Sequence, residues 1–170
     1  GMGKLLVDTI KLNVTQNQNE PVRLNLTTAS LYQGETRLTT ENNVNATFTY
    51  NTIQATVNLI DSIQGNYLNL FPTFDFMEDV VALQLTRSGG IYNKLPIQIV
   101  QSAPVMLTKS GARFQAFSLI SKDQEIQLNG SLTGENSDEL SFNIKHFQLS
   151  TINTLTKFND MKFFGELNGN

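Results

Sequence analysis

Nucleophilic catalysis of the histidine-assisted kind would have to run through His146, the single histidine, and no cysteine is present to serve as a nucleophile or thiolate ligand. A Ser-His-Asp arrangement would need that imidazole, yet it sits beside Lys145 in a run of alternating residues, which reads as an exposed side chain. A metal site built on two histidines is impossible. Asp75, Glu78 and Asp79 stand close enough together to attract calcium. They lack the glycine-bearing, alternating ligand spacing of a dedicated loop and read as a solvated turn. Gly89-Gly90 has neither a following lysine nor a helical stretch and is not a phosphate loop. The 15 acidic residues offer many carboxylate pairs for glycoside cleavage, and no spacing singles one out. Asn-x-Ser/Thr sequons at Asn13, Asn25, Asn45 and Asn129 follow from an Asn- and Thr-rich composition. These residues predict no enzyme, no metal and no cofactor.

The spacing that does stand out is apolar. Ile126, Leu128 and Leu132, then Leu140, Phe142 and Ile144, fall at alternate positions, so each set lies on one side of a strand. The phrase Gly130-Ser131-Leu132-Thr133-Gly134 returns further on as Gly165-Glu166-Leu167-Asn168-Gly169, preceded again by alternating apolar residues, here Met161 and Phe163. Such a unit, repeated, predicts an extended sheet whose use lies in what its oily side covers.

The rest of the chain must position that side. Its 170 residues suit one domain, with 39% apolar and only 16% charged residues. The polar complement is mostly Asn, Gln, Ser and Thr, which suits the wet face of a sheet better than surface helices. A net charge of −3 without a basic patch argues against nucleic acid. The opening Gly1-Met2-Gly3-Lys4-Leu5-Leu6-Val7 is too short in apolar run for a secretory signal or a membrane span. Gly1 before Met2 and an end in mid-pattern at Asn170 suggest a single β-repeat piece, 1–170, of a longer protein, with a possible subdivision into 1–108 and 109–170.

Alternation predicts strands around Ile10–Val14, Val22–Leu26, Val44–Phe48 and Ile53–Leu59, with turns at Asn17–Pro21, Gly34-Glu35 and Asn42-Asn43. The phase reverses between the last two strands, placing a tight turn or bulge near Asn51-Thr52. Phe71-Pro72-Thr73-Phe74-Asp75-Phe76-Met77 reads as a loop, since its proline argues against a central strand, and its aromatics would plug the end of a core. Further strands are expected at Val81–Leu85, Ile97–Ile99, Val105–Leu107, Phe114–Leu119, Ile126–Leu132 and Leu140–Ile144. A bulge at Lys145-His146 would account for the slipped phase of Phe147 and Leu149. Ser150 reads as a helix N-cap before Ile152, Leu155 and Phe158, a short helix closing the sheet. The expected fold is therefore mostly β: a curved antiparallel sheet, as a β-taco, half-open barrel or sandwich, of meander repeats with one short helix near the C-terminus.

The runs Phe117-Ser118-Leu119, Gln124–Leu132 and Asp138–Asn153, with Phe-x-Leu-Ser-x-Ile-Asn followed by Phe-Gly-Glu-Leu-Asn-Gly, resemble the C-terminal part of the TamB (translocation and assembly module) and AsmA-like proteins, in their Bacteroides-type form. The resemblance lies mainly over residues 110–170. It implies a periplasmic protein of the cell envelope, anchored in the inner membrane, whose apolar β-groove passes phospholipid between membranes and which meets an outer-membrane β-barrel of the Omp85 class. It implies no catalytic residue.

In an open sheet Ile126, Leu128, Leu132, Leu140, Phe142 and Ile144 would line such a groove for phospholipid or other acyl chains; in a closed one they would be core. Two other functions fit the same pattern. An extracellular adhesin or glycan-binding β-sandwich would show aromatics at loop tips, for which Tyr67, Phe71 and Phe74 are available. A lipocalin-like carrier would close a barrel around one small hydrophobic ligand.

Overall fold

Period-two alternation over most of the chain gives each segment one oily and one wet side, and the computed structural model is accordingly mostly β with one short helix. It describes residues 4–134, 139–155 and 162–169. The strands are β1 (Leu5–Thr15), β2 (Val22–Gln33), β3 (Thr36–Thr39), β4 (Glu41–Phe48), β5 (Thr52–Asp61), β6 (Asn66–Leu70), β7 (Pro72–Phe76) and β8 (Val80–Leu85). There follow β9 (Gly89–Tyr92), β10 (Leu95–Gln101), β11 (Val105–Thr108), β12 (Ala112–Ser121), β13 (Gln124–Leu132), β14 (Leu140–Gln148), helix α1 (Ser150–Leu155) and β15 (Glu166–Gly169). All fifteen strands belong to one curved antiparallel sheet.

The topology is simpler than fifteen strands suggest. β6 and β7 are two halves of one ribbon interrupted at Phe71, and both pair with the same side of β5, at Val57–Asp61 and Thr52–Gln54 respectively. β8 with β9, and β10 with β11, are likewise halves, and β12 pairs with both β10 and β11. β3 and β4 both pair with β2. Counted as ribbons, the chain is a meander in which each successive ribbon adds beside the previous one. The pairing path does close into a ring, but not a regular barrel, because the ring encloses the slit between the halves. The ladder crosses residues 108–109 without a gap, and β1 and β15 are edges paired on one side only.

Interrupted ribbons leave backbone groups without ladder partners, and side chains take them over. Ser88, only 1% exposed, accepts the Phe71 N–H on its hydroxyl at 3.0 Å, while its carbonyl accepts the Ile99 N–H at 2.9 Å. Gln101 accepts from the Leu85 N–H and from Gln84 Nε2 across the same seam. Gly90 lets the ribbons close: a Cβ there would lie 2.0 Å from the Tyr67 carbonyl oxygen.

Two expectations are corrected. Pro72 does not break the sheet. It opens β7, a central strand paired with β5 and β8, because the interruption at Phe71 puts the ring at a strand start, where no amide donor is required. Asn42-Asn43 is not a turn but part of β4, opposite Thr28 and Thr27, with Asn42 Nδ2 donating to Thr28 Oγ1 at 2.8 Å. The irregularity falls instead at Thr40, whose N–H and hydroxyl both donate to the Ile60 carbonyl.

Other expectations hold. The phase reversal is a hairpin turn closed by Thr49 N–H to the Thr52 carbonyl at 2.9 Å. The register slips between Ile144 and Phe147, with His146 at φ 50°. A second bulge, between Phe114 and Phe117, places Ala116 at φ 47° and hands its N–H to Asn129 Oδ1 at 2.7 Å. Helix α1 opens at Ser150 and is tied to the sheet by Thr151, whose hydroxyl donates to Gln124 Oε1 at 2.9 Å. Phe158, Met161 and residues 135–138 lie outside the described residues.

Removing the Ser88 hydroxyl should destabilise the fold by roughly 1–3 kcal/mol, since the Phe71 amide would stay buried without an acceptor. Equilibrium urea unfolding of Ser88→Ala checks this; an unchanged midpoint would mean that water replaces the hydroxyl.

Candidate functional site

Residues paired across neighbouring strands share a face, so the register assigns every strand side chain to one side of the sheet or the other. Leu12, Leu26, Val44, Val57 and Leu70 are successive partners across β1, β2, β4, β5 and β6. Ile99, Leu119, Ile126 and Ile144 continue on β10, β12, β13 and β14. Ile53, Phe74, Leu83 and Val105 form a parallel row through β5, β7, β8 and β11. Parity is kept through each hairpin, and where it would be lost, at Ala116 and His146, a bulge restores it. One face is therefore apolar from β1 to β15.

The six residues singled out from the sequence all lie on this face. Ile126 pairs with Ile144 and Leu128 with Phe142, while Leu140 faces Gly130 and Leu132 faces Ala112. Leu132 and Phe142 are 59% and 50% exposed, and the other four are half-buried. The face extends far beyond them, to the exposed Ile10, Leu12 and Val14 at one edge and Leu167 at the other. Sequence reading found those strands by the same alternation but had no means of joining their phases.

Few side chains of this face are buried among the described residues. Among the described residues only Ala46, Pro72, Ala82 and Val105 are buried apolar side chains, whereas Asn42, Asp61, Asn66, Ser88 and Gln124 are buried polar ones. The chain exposes 11703 Å², against about 8,400 Å² for a compact monomer of its mass of 19.0 kDa. Two hollows indent the apolar face. One, of about 260 Å³, is lined by Leu59, Leu68, Ile97 and Tyr92, with Thr39, Asp61 and Asn66 at one end. The other, of about 110 Å³, lies between Leu95, Leu119, Ile126, Phe147 and Thr151 of α1. Ile97 lines both, so they adjoin.

The opposite face is polar and rich in asparagine. Asn13, Asn25 and Asn45 are cross-strand partners in one row, with Asn25 Nδ2 donating to Asn45 Oδ1 at 2.6 Å, and Asn58 Nδ2 donates to Asn69 Oδ1 at 2.8 Å. Three of the sequons thus fall on one Asn ladder, and the fourth, Asn129, holds the Ala116 bulge. His146 is exposed, with Nδ1 3.1 Å from Glu166 Oε1. Hydrogen bonds from Asn168, then from His146 and Gln148, hold the Glu166 carboxyl below its ordinary value. Asp75 accepts from the Thr52 hydroxyl at 2.7 Å and Asp79 pairs with Lys109 at 3.0 Å, so these two carboxylates of the acidic cluster engage different partners. Tyr67 and Phe74 sit within strands and Phe71 at the seam, none of them at a loop tip. Among the described residues no helix is long and apolar enough to cross a membrane.

Behind Ile126 and Ile144, Glu125 bridges three strands. It accepts from Lys145 Nζ and from the Ser118 hydroxyl, each at 2.9 Å, and these bonds, the lysine's first, hold its carboxyl below the ordinary value. A carboxyl lowered in the folded state stabilises fully above its unfolded pKa, and the gain is lost as pH falls through the folded value. Glu125→Gln should therefore cost about 1 kcal/mol or less near pH 7, Lys145 being largely exposed, and nothing once the wild-type carboxyl is protonated. Urea unfolding of both proteins across the acid range tests this; a gap that persists at the acid end would trace to packing rather than charge. Comparison with family models, curated proteins and solved structures finds no match to this chain.

Proposed function

We propose that this chain is a non-enzymatic lipid-binding segment in which acyl chains lie across the ribbons on the continuous apolar face. The observation that carries the reading is that this face spans the whole meander and stays half exposed. Soluble monomers rarely expose more than about 300–600 Å² of contiguous apolar surface, so a face this wide calls for an occupant. Each methylene laid on it contributes about 0.8 kcal/mol. Because the strands run side by side about 4.8 Å apart, four ribbons offer an apolar path of about 19 Å, roughly the length of an extended membrane acyl chain. Ile126, Leu128, Leu132, Leu140, Phe142 and Ile144 would line one end of that path.

In the cell the segment would belong to a periplasmic envelope-assembly protein, anchored in the inner membrane, that passes phospholipid toward an outer-membrane β-barrel of the Omp85 class. The resemblance over residues 110–170 and the meander order support this placement. One observation favours a second reading. On the polar face, Phe71 borders a groove of about 420 Å³ with Asn45, Gln54, Thr56 and Thr73, neutral groups suited to a saccharide.

Native mass spectrometry of the purified chain separates these readings. Heterogeneous phospholipid adducts are expected, and they should disappear in Leu128→Glu while the fold is retained. A single defined adduct would point to a closed carrier, and glycan binding without lipid to the polar groove. If Leu128→Glu instead unfolds the chain by several kcal/mol, the position belongs to a sealed core and the lipid path is wrong.

A further inference from the structure

The larger hollow has a polar end, and we propose that this end receives the ammonium group of an amphiphile whose tail lies on the apolar face. The inference rests on the lipid-binding reading and adds the headgroup chemistry. Asp61 is the last residue of β5, two positions beyond Leu59 and four beyond Val57, so its side chain shares their apolar face. It is only 7% exposed. One carboxylate oxygen, Oδ1, accepts the Ile63 and Gln64 amides at 3.2 and 3.4 Å, closing the turn. Among the described residues the other oxygen has no hydrogen-bond partner, and no ion pair involves Asp61.

A buried carboxylate without a counter-charge is costly, so this end of the hollow favours a cation. A second observation points the same way. Thr39, 8% exposed, lines the same hollow, and its hydroxyl oxygen is buried without a hydrogen-bond partner. Asn66 is already engaged, its Oδ1 accepting the Asn93 N–H at 2.7 Å, and so holds the end in shape.

The lining selects the kind of cation. A divalent metal wants several oxygen ligands, and Asp61 is the only carboxylate among the described residues that line the hollow. An anionic headgroup would find neither lysine nor arginine among the lining residues. Tyr92, in phase with Gly90 and Ile97, lines the hollow from the same face as the carboxylate, and an aromatic ring together with a carboxylate suits an ammonium through cation–π attraction and a charge-assisted hydrogen bond. The floor of Leu59, Leu68 and Ile97 leads from that end to the second hollow, which gives a tail its direction.

The test offers the whole chain an equal mixture of phosphatidylethanolamine and phosphatidylglycerol with identical acyl chains, and reads bound lipid by native mass spectrometry. Wild type should enrich phosphatidylethanolamine about fivefold to tenfold. Asp61→Asn, which keeps the oxygen that accepts the turn amides, should abolish the preference. N-acetylated phosphatidylethanolamine, which has lost its positive charge, should lose the preference with wild-type protein, so the result does not depend on the variant folding. Equal capture of the two lipids by wild type, or a preference that survives both Asp61→Asn and N-acetylation, would overturn the proposal and leave the lipid reading standing. Free ethanolamine binding as tightly as the lipid would overturn the amphiphile. Capture of no lipid at all would remove the lipid reading and the headgroup site together.

Discussion

In a meander, side chains of neighbouring ribbons share a face only if register parity survives every turn, and that constraint governs everything else in this structure. A slip of one residue in one hairpin would send all later apolar side chains to the polar side. The chain meets the constraint in two ways. Tight hairpins such as Thr49–Thr52 reverse direction while keeping parity, and bulges at Ala116 and His146 absorb a surplus residue where the alternation itself shifts. The Ala116 bulge is fixed by the Asn129 side chain and the His146 bulge by Asn168, whose Oδ1 accepts the His146 N–H at 2.6 Å, so the polar face maintains the apolar one.

The seam through β6 to β11 answers a different demand. A wide sheet must curve, and a continuous ladder resists bending, so interruptions at Phe71, Ser88 and Ser102–Pro104 let each ribbon change direction halfway. Ser88 and Gln101 supply the hydrogen bonds that the ladder gives up, which explains why a serine is the most deeply buried side chain of a sheet otherwise rich in aliphatic residues. The apolar hollows adjoin this curved region and meet at Ile97. Curvature, buried polar groups and a concave oily surface thus have one origin.

The distribution of burial bears directly on function. A folded chain normally gains most of its stability by closing apolar surface on itself. Here that surface stays half open, and much of the order comes from lateral hydrogen bonding and cross-strand pairs. Such a sheet would gain further stability from anything apolar that covered it, so under the proposed function ligand binding and folding stability would be linked through one surface.

Alternation alone located most ribbons, though not β3, β9 or the ribbon of β6 and β7, because period two is a local property that needs no knowledge of neighbours. It also marked the His146 bulge, since the phase slip between Ile144 and Phe147 is written in the residues themselves. It misjudged Pro72 and Asn42-Asn43, where residue type pointed to a break and the neighbouring strands decided otherwise: β5 and β8 hold Pro72 at a strand start, and Thr28 accepts from Asn42. The six residues on β13 and β14 were legible as one oily patch. Their continuity with Leu12, Val57 and Leu119, the hollow beside Asp61, and the choice between a closed core and an open face were not. Those depend on register and curvature, which arise from contacts between residues far apart in the chain and leave no mark in the local order of side chains.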